Sequence, residues 1–183
     1  MQLVIPAFII HWYISLFSQT FFLHRYSAHK MFVMNKFWEK FFYFLTYLSQ
    51  GSSFLSPRAY AILHRMHHAF SDTKKDPHSP IFSSNVFTMM WKTKDIYNAV
   101  LNRKSNVEER FEHDNPVSKT IEEIGDSWIS RLGWGVAYAS FYIFAYIQFD
   151  MHWLFFLLLP VHFLMGPVHG AIVNWSGHKY GYQ

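Results

Sequence analysis

The chain of 183 residues contains no cysteine. That absence excludes thiolate metal sites, iron–sulfur clusters and disulfides, so any bound metal must be held by nitrogen and oxygen donors. Charge is also missing, but only in blocks. Residues 3–23, 132–149 and 151–177 carry no Lys, Arg, Asp or Glu, and apolar stretches of about 18 or more residues are candidate membrane spans. The first block lacks a basic leader and a small-residue cleavage site, so it reads as a retained span and not as a signal peptide. Aromatic residues make up 21% of the chain, and Trp12, Trp134 and Trp153 fall near the ends of these blocks, as interface anchors would.

These patterns predict one domain over 1–183: an all-α membrane protein, a transmembrane helical bundle with a cytoplasmic histidine-rich helical cap. The spans are about 3–23, 132–149 and 151–177, with a cytoplasmic loop over 56–131. All 16 Lys and Arg residues lie within 25–131 or at Lys179. By the positive-inside tendency that side is cytoplasmic. The aromatic run 37–55 contains Glu39 and Lys40 and ends in the polar sequence 49–53, so it reads as an interfacial helix and not as a crossing. Without a crossing there, His24, His29, His64, His67, His68 and His178 all fall on one cytoplasmic face. Pro160, Gly166 and Pro167 are expected to kink the last span.

Histidine is what the chain has in excess. His64, His67 and His68 stand at i, i+3 and i+4, on one side of a helix. His24 and His29 lie forty residues upstream, and His178 closes the far end. Imidazole alone suits Zn, Cu, Fe or Ni. Zinc usually saturates at four ligands, so these six candidates from three segments point to two metals. On a regular helix His24 and His29 would stand about 140° apart, suited to two ions or to a helix that ends between them. Asn174, four residues before His178, is placed to hydrogen-bond a metal-bound water. The remaining histidines read as structural: His11 and His152 as interface residues, His162 and His169 as one inward face of the last span, His113 as solvated, and His78 as a loop residue outside the ligand set.

HRYSAH and LHRMHH resemble the HxxxxH and HxxHH boxes of the membrane-bound fatty acid desaturases. DTKKDPHSP and IVNWSGHKYGYQ are similar to the acyl-CoA Δ9 (stearoyl-type) branch, bacterial members above all. The resemblance implies O2-dependent desaturation of a long-chain fatty acyl group, with a cis double bond at Δ9, at a diiron centre. It implies His24, His29, His64, His67, His68 and His178 as ligands and Asn174 as holder of a bound water, with no catalytic residue beyond the metal ligands. The implied partners are a CoA- or lipid-linked acyl substrate, a separate electron donor of the ferredoxin or b-type cytochrome class, and membrane lipid, with no nucleic acid. The implied location is a bacterial inner membrane, with the site on the cytoplasmic side. Two departures qualify the match. The family's third box, HNxHH or QNxHH, does not occur, so the sequence resembles a C-terminally truncated desaturase, expected to bind metal incompletely and to be inactive alone. Ile62 and Leu63 stand where animal acyl-CoA enzymes carry Arg-Asp, which leaves the acyl carrier open. The competing readings are a related diiron alkyl or acyl hydroxylase and a b-type haem electron carrier.

Overall fold

A computed structural model describes residues 3–180, and among these the chain is helical throughout, with no strand. Helix α1 runs Val4–Ala28 and is the one unbroken helix among the described residues long and apolar enough to cross a membrane. Helices α2 (Lys36–Gln50), α3 (Pro57–Phe70) and α4 (Val86–Leu101) follow, then α5 (Lys119–Asp126) and α6 (Trp128–Phe149). The chain ends in α7 (Trp153–Phe163) and α8 (Met165–Lys179), a pair bent by 78° that together could make a second crossing. Helix α6 is 22 residues long, but its tyrosines and Gln148 lower its hydropathy below that of α1.

Local chemistry sets the boundaries. Asn35, Ser56, Asn85 and Ser127 each accept a hydrogen bond from a backbone N–H in the first turn of α2, α3, α4 and α6, satisfying donors that a helix start leaves orphaned. Pro57 then occupies the first turn of α3, where its missing N–H costs nothing. Helix α2 stops at Gly51, whose φ of +52° suits glycine and whose absent Cβ makes room for the Tyr138 hydroxyl.

The expected kink is a break. Pro167 has no N–H to offer the Phe163 carbonyl, so the helix breaks at Leu164 and restarts as α8 with Pro167 in its first turn. The freed groups are taken by the turn after α2: Ser52 Oγ donates to Phe163 O at 3.0 Å, and Gly166 N donates to Ser53 Oγ at 3.1 Å. Arg131 on α6 donates to Ser52 O at 3.0 Å, and His11 on α1 donates to Ser49 O at 2.8 Å. The polar run 49–53 is therefore a buried hub joining α1, α6, α7 and α8. Its helix lies over Lys36–Gln50 only; the rest of 37–55 is this hub.

Three apolar clusters fill the spaces between helices. Phe22, Leu23, Tyr26, Tyr43 and Phe54 pack α1 on α2; Ala59, Ile62, Leu63, Val100 and Phe111 pack α3 on α4; and Val4, Tyr142, Ala145 and Met151 close the far end. Tyr60 of α3 packs against the first cluster and so ties α3 to α1, the helices that carry the histidine boxes.

Candidate metal centre

The structure brings together His24, His29, His64, His67, His68 and His178, from the ends of α1, α3 and α8. The turn that carries the first pair is not regular. Over Ser18–Ala28 the backbone bonds run i→i+5, and His29 N donates to His24 O at 3.0 Å. In so wide a turn, residues five apart stack on one side. The expected 140° separation is thereby corrected: the two rings meet edge to face with centroids 4.5 Å apart. The segment Ile172–Ser176, just before His178, widens in the same way.

The six rings form two nests. In the first, His64 Nε2 lies 2.9 Å from His29 Nε2 and 3.0 Å from His68 Nε2, and ligand atoms of His24, His29 and His64 lie within 4.8 Å of one another. In the second, His67 Nε2 faces His178 Nε2 at 3.1 Å. Two nitrogens bound at right angles to one metal, each about 2.1 Å from it, stand about 3 Å apart. The first nest therefore offers three or four nitrogens at a spacing that suits one metal, and the second offers two at the same spacing.

Proton positions sharpen the case for the second nest. His67 Nδ1 lies 2.9 Å from both carboxylate oxygens of Asp76, and His178 Nδ1 lies 3.5 Å from Asp72 Oδ2. A carboxylate only accepts, so His67 donates to Asp76 from Nδ1. The Nε2 of His67 is then an acceptor facing His178 Nε2, the place that a cation would take.

Burial keeps the rings ready to bind. It pushes the His64 imidazole down to about 2, helped by His24, His68 and His29, and lowers His68 as well. Burial also brings His78 down to about 3, with His67 as the next cause. Burial alone would raise the Asp76 carboxyl, but hydrogen bonds from His67 and from the His78 and Asp72 amides outweigh it and hold Asp76 below its ordinary value. Neutral imidazole and ionised carboxylate are the forms that a metal site needs.

Several participants lie outside the histidine boxes and the expected ligand set. Asp72, Asp76 and His78 belong to the loop after α3; His78 stacks 4.3 Å from His67, and its Nε2 is buried without a partner. Arg65 ties the boxes together, donating to the carbonyls of Ser27, Ala28, Phe111 and His113. His113 thus contributes a backbone acceptor and is not merely solvated. Asn174 lies half-buried on α8, and its side chain makes no hydrogen bond among the described residues. A groove of about 420 Å³ along α6, between Trp128, Arg131, Val136 and Phe163, includes none of the histidines.

The other histidines lie away from the two nests. His162 and His169 do not share a face, because the bend at Leu164 separates them onto α7 and α8. His11 is half-buried and pairs with His162. His152 is exposed and caps the first turn of α7.

A stretch of 65 residues is 42% identical to the Delta-9 desaturase-like 5 protein of Arabidopsis thaliana, covering 35% of this chain and 20% of that protein. The similarity is to a desaturase-like protein and spans about a fifth of its length. No family model matches the chain, and no solved structure matches it.

Proposed function

We propose that this chain carries the histidine-ligated metal centre of a membrane fatty acyl desaturase of the Δ9 type, with iron as the metal. The observation that carries the reading is the convergence of the six box histidines into two nests with cation-sized gaps, beside the partial similarity to a desaturase-like protein. Two irons bound there would supply the O2-activating, strongly oxidising chemistry that an unactivated methylene requires.

The balance of the reaction is fixed by its redox state. Two hydrogens leave adjacent methylenes, and a separate donor gives two electrons that arrive with two protons. O2 is reduced to two waters as the double bond forms. The chain's own part is to hold neutral imidazoles in position and to keep the acyl chain beside them. The donor of the ferredoxin or b-type cytochrome class and the CoA- or lipid-linked acyl substrate belong to this proposal.

Membrane embedding supports it. Helix α1 turns Ile9, Ile10, Tyr13 and Phe17 outward, and α6 does the same with Leu132, Val136 and Ile147. Such continuous exposed apolar surface suits lipid. The site then sits at the α1 and α8 ends that the positive-inside tendency places in the cytoplasm.

The test combines metal analysis with product analysis. Iron should copurify with the protein and fall with His64→Gln or His67→Gln. Gas chromatography of acyl chains from cells expressing the gene at its own locus should show a new cis double bond. A hydroxylated product would move the assignment to the hydroxylases, and a strong Soret band would move it to the haem carriers.

A further inference from the structure

We infer that Asp76 and Asp72 are positioning residues, a pair of carboxylates on one loop that hold His67 and His178 with Nε2 turned toward the metal. The inference rests on the metal reading above and adds residues that none of the histidine boxes contains. Its basis is a set of hydrogen bonds within 71–79 and to His67, with a 3.5 Å charge contact from Asp72 to His178.

Asp76 is fully buried and accepts three kinds of N–H. His67 Nδ1 approaches both oxygens at 2.9 Å, His78 N donates to Oδ1 at 3.0 Å, and Asp72 N donates to Oδ2 at 3.0 Å. With its acceptor sites occupied in this way, Asp76 is a poor metal ligand, although it lies among His67 and His78. It is well placed to fix the ring behind which it sits. Asp72 is held in turn by Ser79 Oγ at 3.1 Å and directs Oδ2 toward His178 Nδ1. Asp72 has a φ of +57°, a left-handed conformation that Asp and Asn tolerate better than most residues. One short loop thus reaches two histidines on different helices, α3 and α8.

A carboxylate behind a ligating imidazole fixes its tautomer and its orientation, and removing it typically weakens metal binding tenfold to a hundredfold. Asparagine at position 76 would present an N–H where all the neighbours are donors. His67 would relieve that clash by moving its proton to Nε2, the atom that must face the metal.

The test uses metal-free and cobalt(II)-titrated protein. In the unmodified metal-free chain, ¹⁵N NMR of labelled histidine should show His67 protonated at Nδ1, its signal assigned by loss in His67→Gln. Asp76→Asn should shift that proton to Nε2 and weaken cobalt(II) binding at one site by tenfold or more, with a smaller loss in Asp72→Asn. Thr73→Ala removes a bond from Thr73 Oγ1 to Phe70 O in the same loop. It should lower stability without changing the tautomer or the cobalt(II) absorption bands. An Nε2-protonated His67 in the unmodified chain would overturn the inference, even if Asp76→Asn fails to fold. Equal cobalt(II) affinity in Asp76→Asn would overturn only the positioning role, whereas an unmodified chain that binds no cobalt(II) would overturn the metal reading itself.

Discussion

His11 and His162, 151 positions apart in the chain, bring their Nδ1 atoms to 2.6 Å of each other between α1 and α7. Their partners decide which atom carries each proton. His11 Nε2 points at the Ser49 carbonyl, so it donates, and its Nδ1 must accept from His162. His162 Nε2 then accepts from the Tyr142 hydroxyl at 2.9 Å. The result is a single directed chain from Tyr142 to Ser49 that joins four helices. Its geometry also bears on the haem alternative. Two histidines on opposite faces of one iron stand about 4 Å apart, twice a metal–nitrogen bond, and these stand too close.

His162→Phe should therefore destabilise the fold. The ring is replaced at similar volume, but Tyr142 and His11 lose their buried partner, at about 1–3 kcal/mol for each group left unsatisfied. A thermal melt in detergent should show the lower midpoint, with the cobalt(II) affinity of the box histidines unchanged. An unaltered melting temperature would mean that the chain contributes nothing to stability.

Acid should weaken the metal-free protein well above the carboxylate range. Burial lowers the imidazoles of His64, His68 and His78 in the folded state, while an unfolded histidine titrates near 6.5. The unfolded chain thus binds more protons below about 6.5, and stability falls as pH drops through that value toward the folded values. The melting temperature should decline between pH 7 and pH 5, and His64→Gln should flatten the decline. A flat profile over that window would show these rings to be accessible to protons in the folded state.

Much of this site was legible from spacing, and what was not has a physical reason. His64, His67 and His68 follow helical periodicity, so their shared side of α3 could be read directly. His24 and His29 could not, because the five-residue spacing is favourable only in the wide turn over Ser18–Ala28, which no 3.6-residue pattern reveals. Asp72 and Asp76 act through loop conformation, and loops leave no periodic trace. The break before Pro167 was foreseeable as a kink. Its depth depends on Ser52 and Ser53, which come from a distant segment and absorb the freed backbone groups. His11 and His162 show the same limit: each sits in an apolar run, and only tertiary packing makes them partners.

Metal should stabilise the fold in a nest-specific manner. A ligand that binds only the folded state adds RT ln(1 + [L]/Kd), about 2.7 kcal/mol at a hundred times Kd. Cobalt(II) should raise the melting temperature, and chelator should reverse the rise. His29→Gln and His67→Gln each remove one nest, so each should retain part of the rise and the double variant none. A full rise in the double variant would place the metal outside these histidines.

Arg65 offers the strictest test of how the two boxes are joined. It lies between His64 and His67, half-buried, and its guanidinium donates to four backbone carbonyls at 2.8–3.0 Å and, among the described residues, to no carboxylate. Two of these carbonyls, from Ser27 and Ala28, are at the end of α1, where a helix leaves its last acceptors unsatisfied and its dipole is negative. The other two hold the segment at 111–113 against the cap. A planar fork with five donors can span these acceptors, whereas the ammonium of lysine is a single point of charge. Arg65→Lys should therefore fail to substitute, losing about 2–3 kcal/mol of stability, roughly the value of one or two hydrogen bonds to a charged group. Because the clamp sets the distance between His29 and His64, cobalt(II) should also bind more weakly to the first nest than to the second. Equal weakening of both nests would point to a general loosening of the fold, and unchanged binding would show that apolar packing of α1 against α3 holds the boxes together without the clamp.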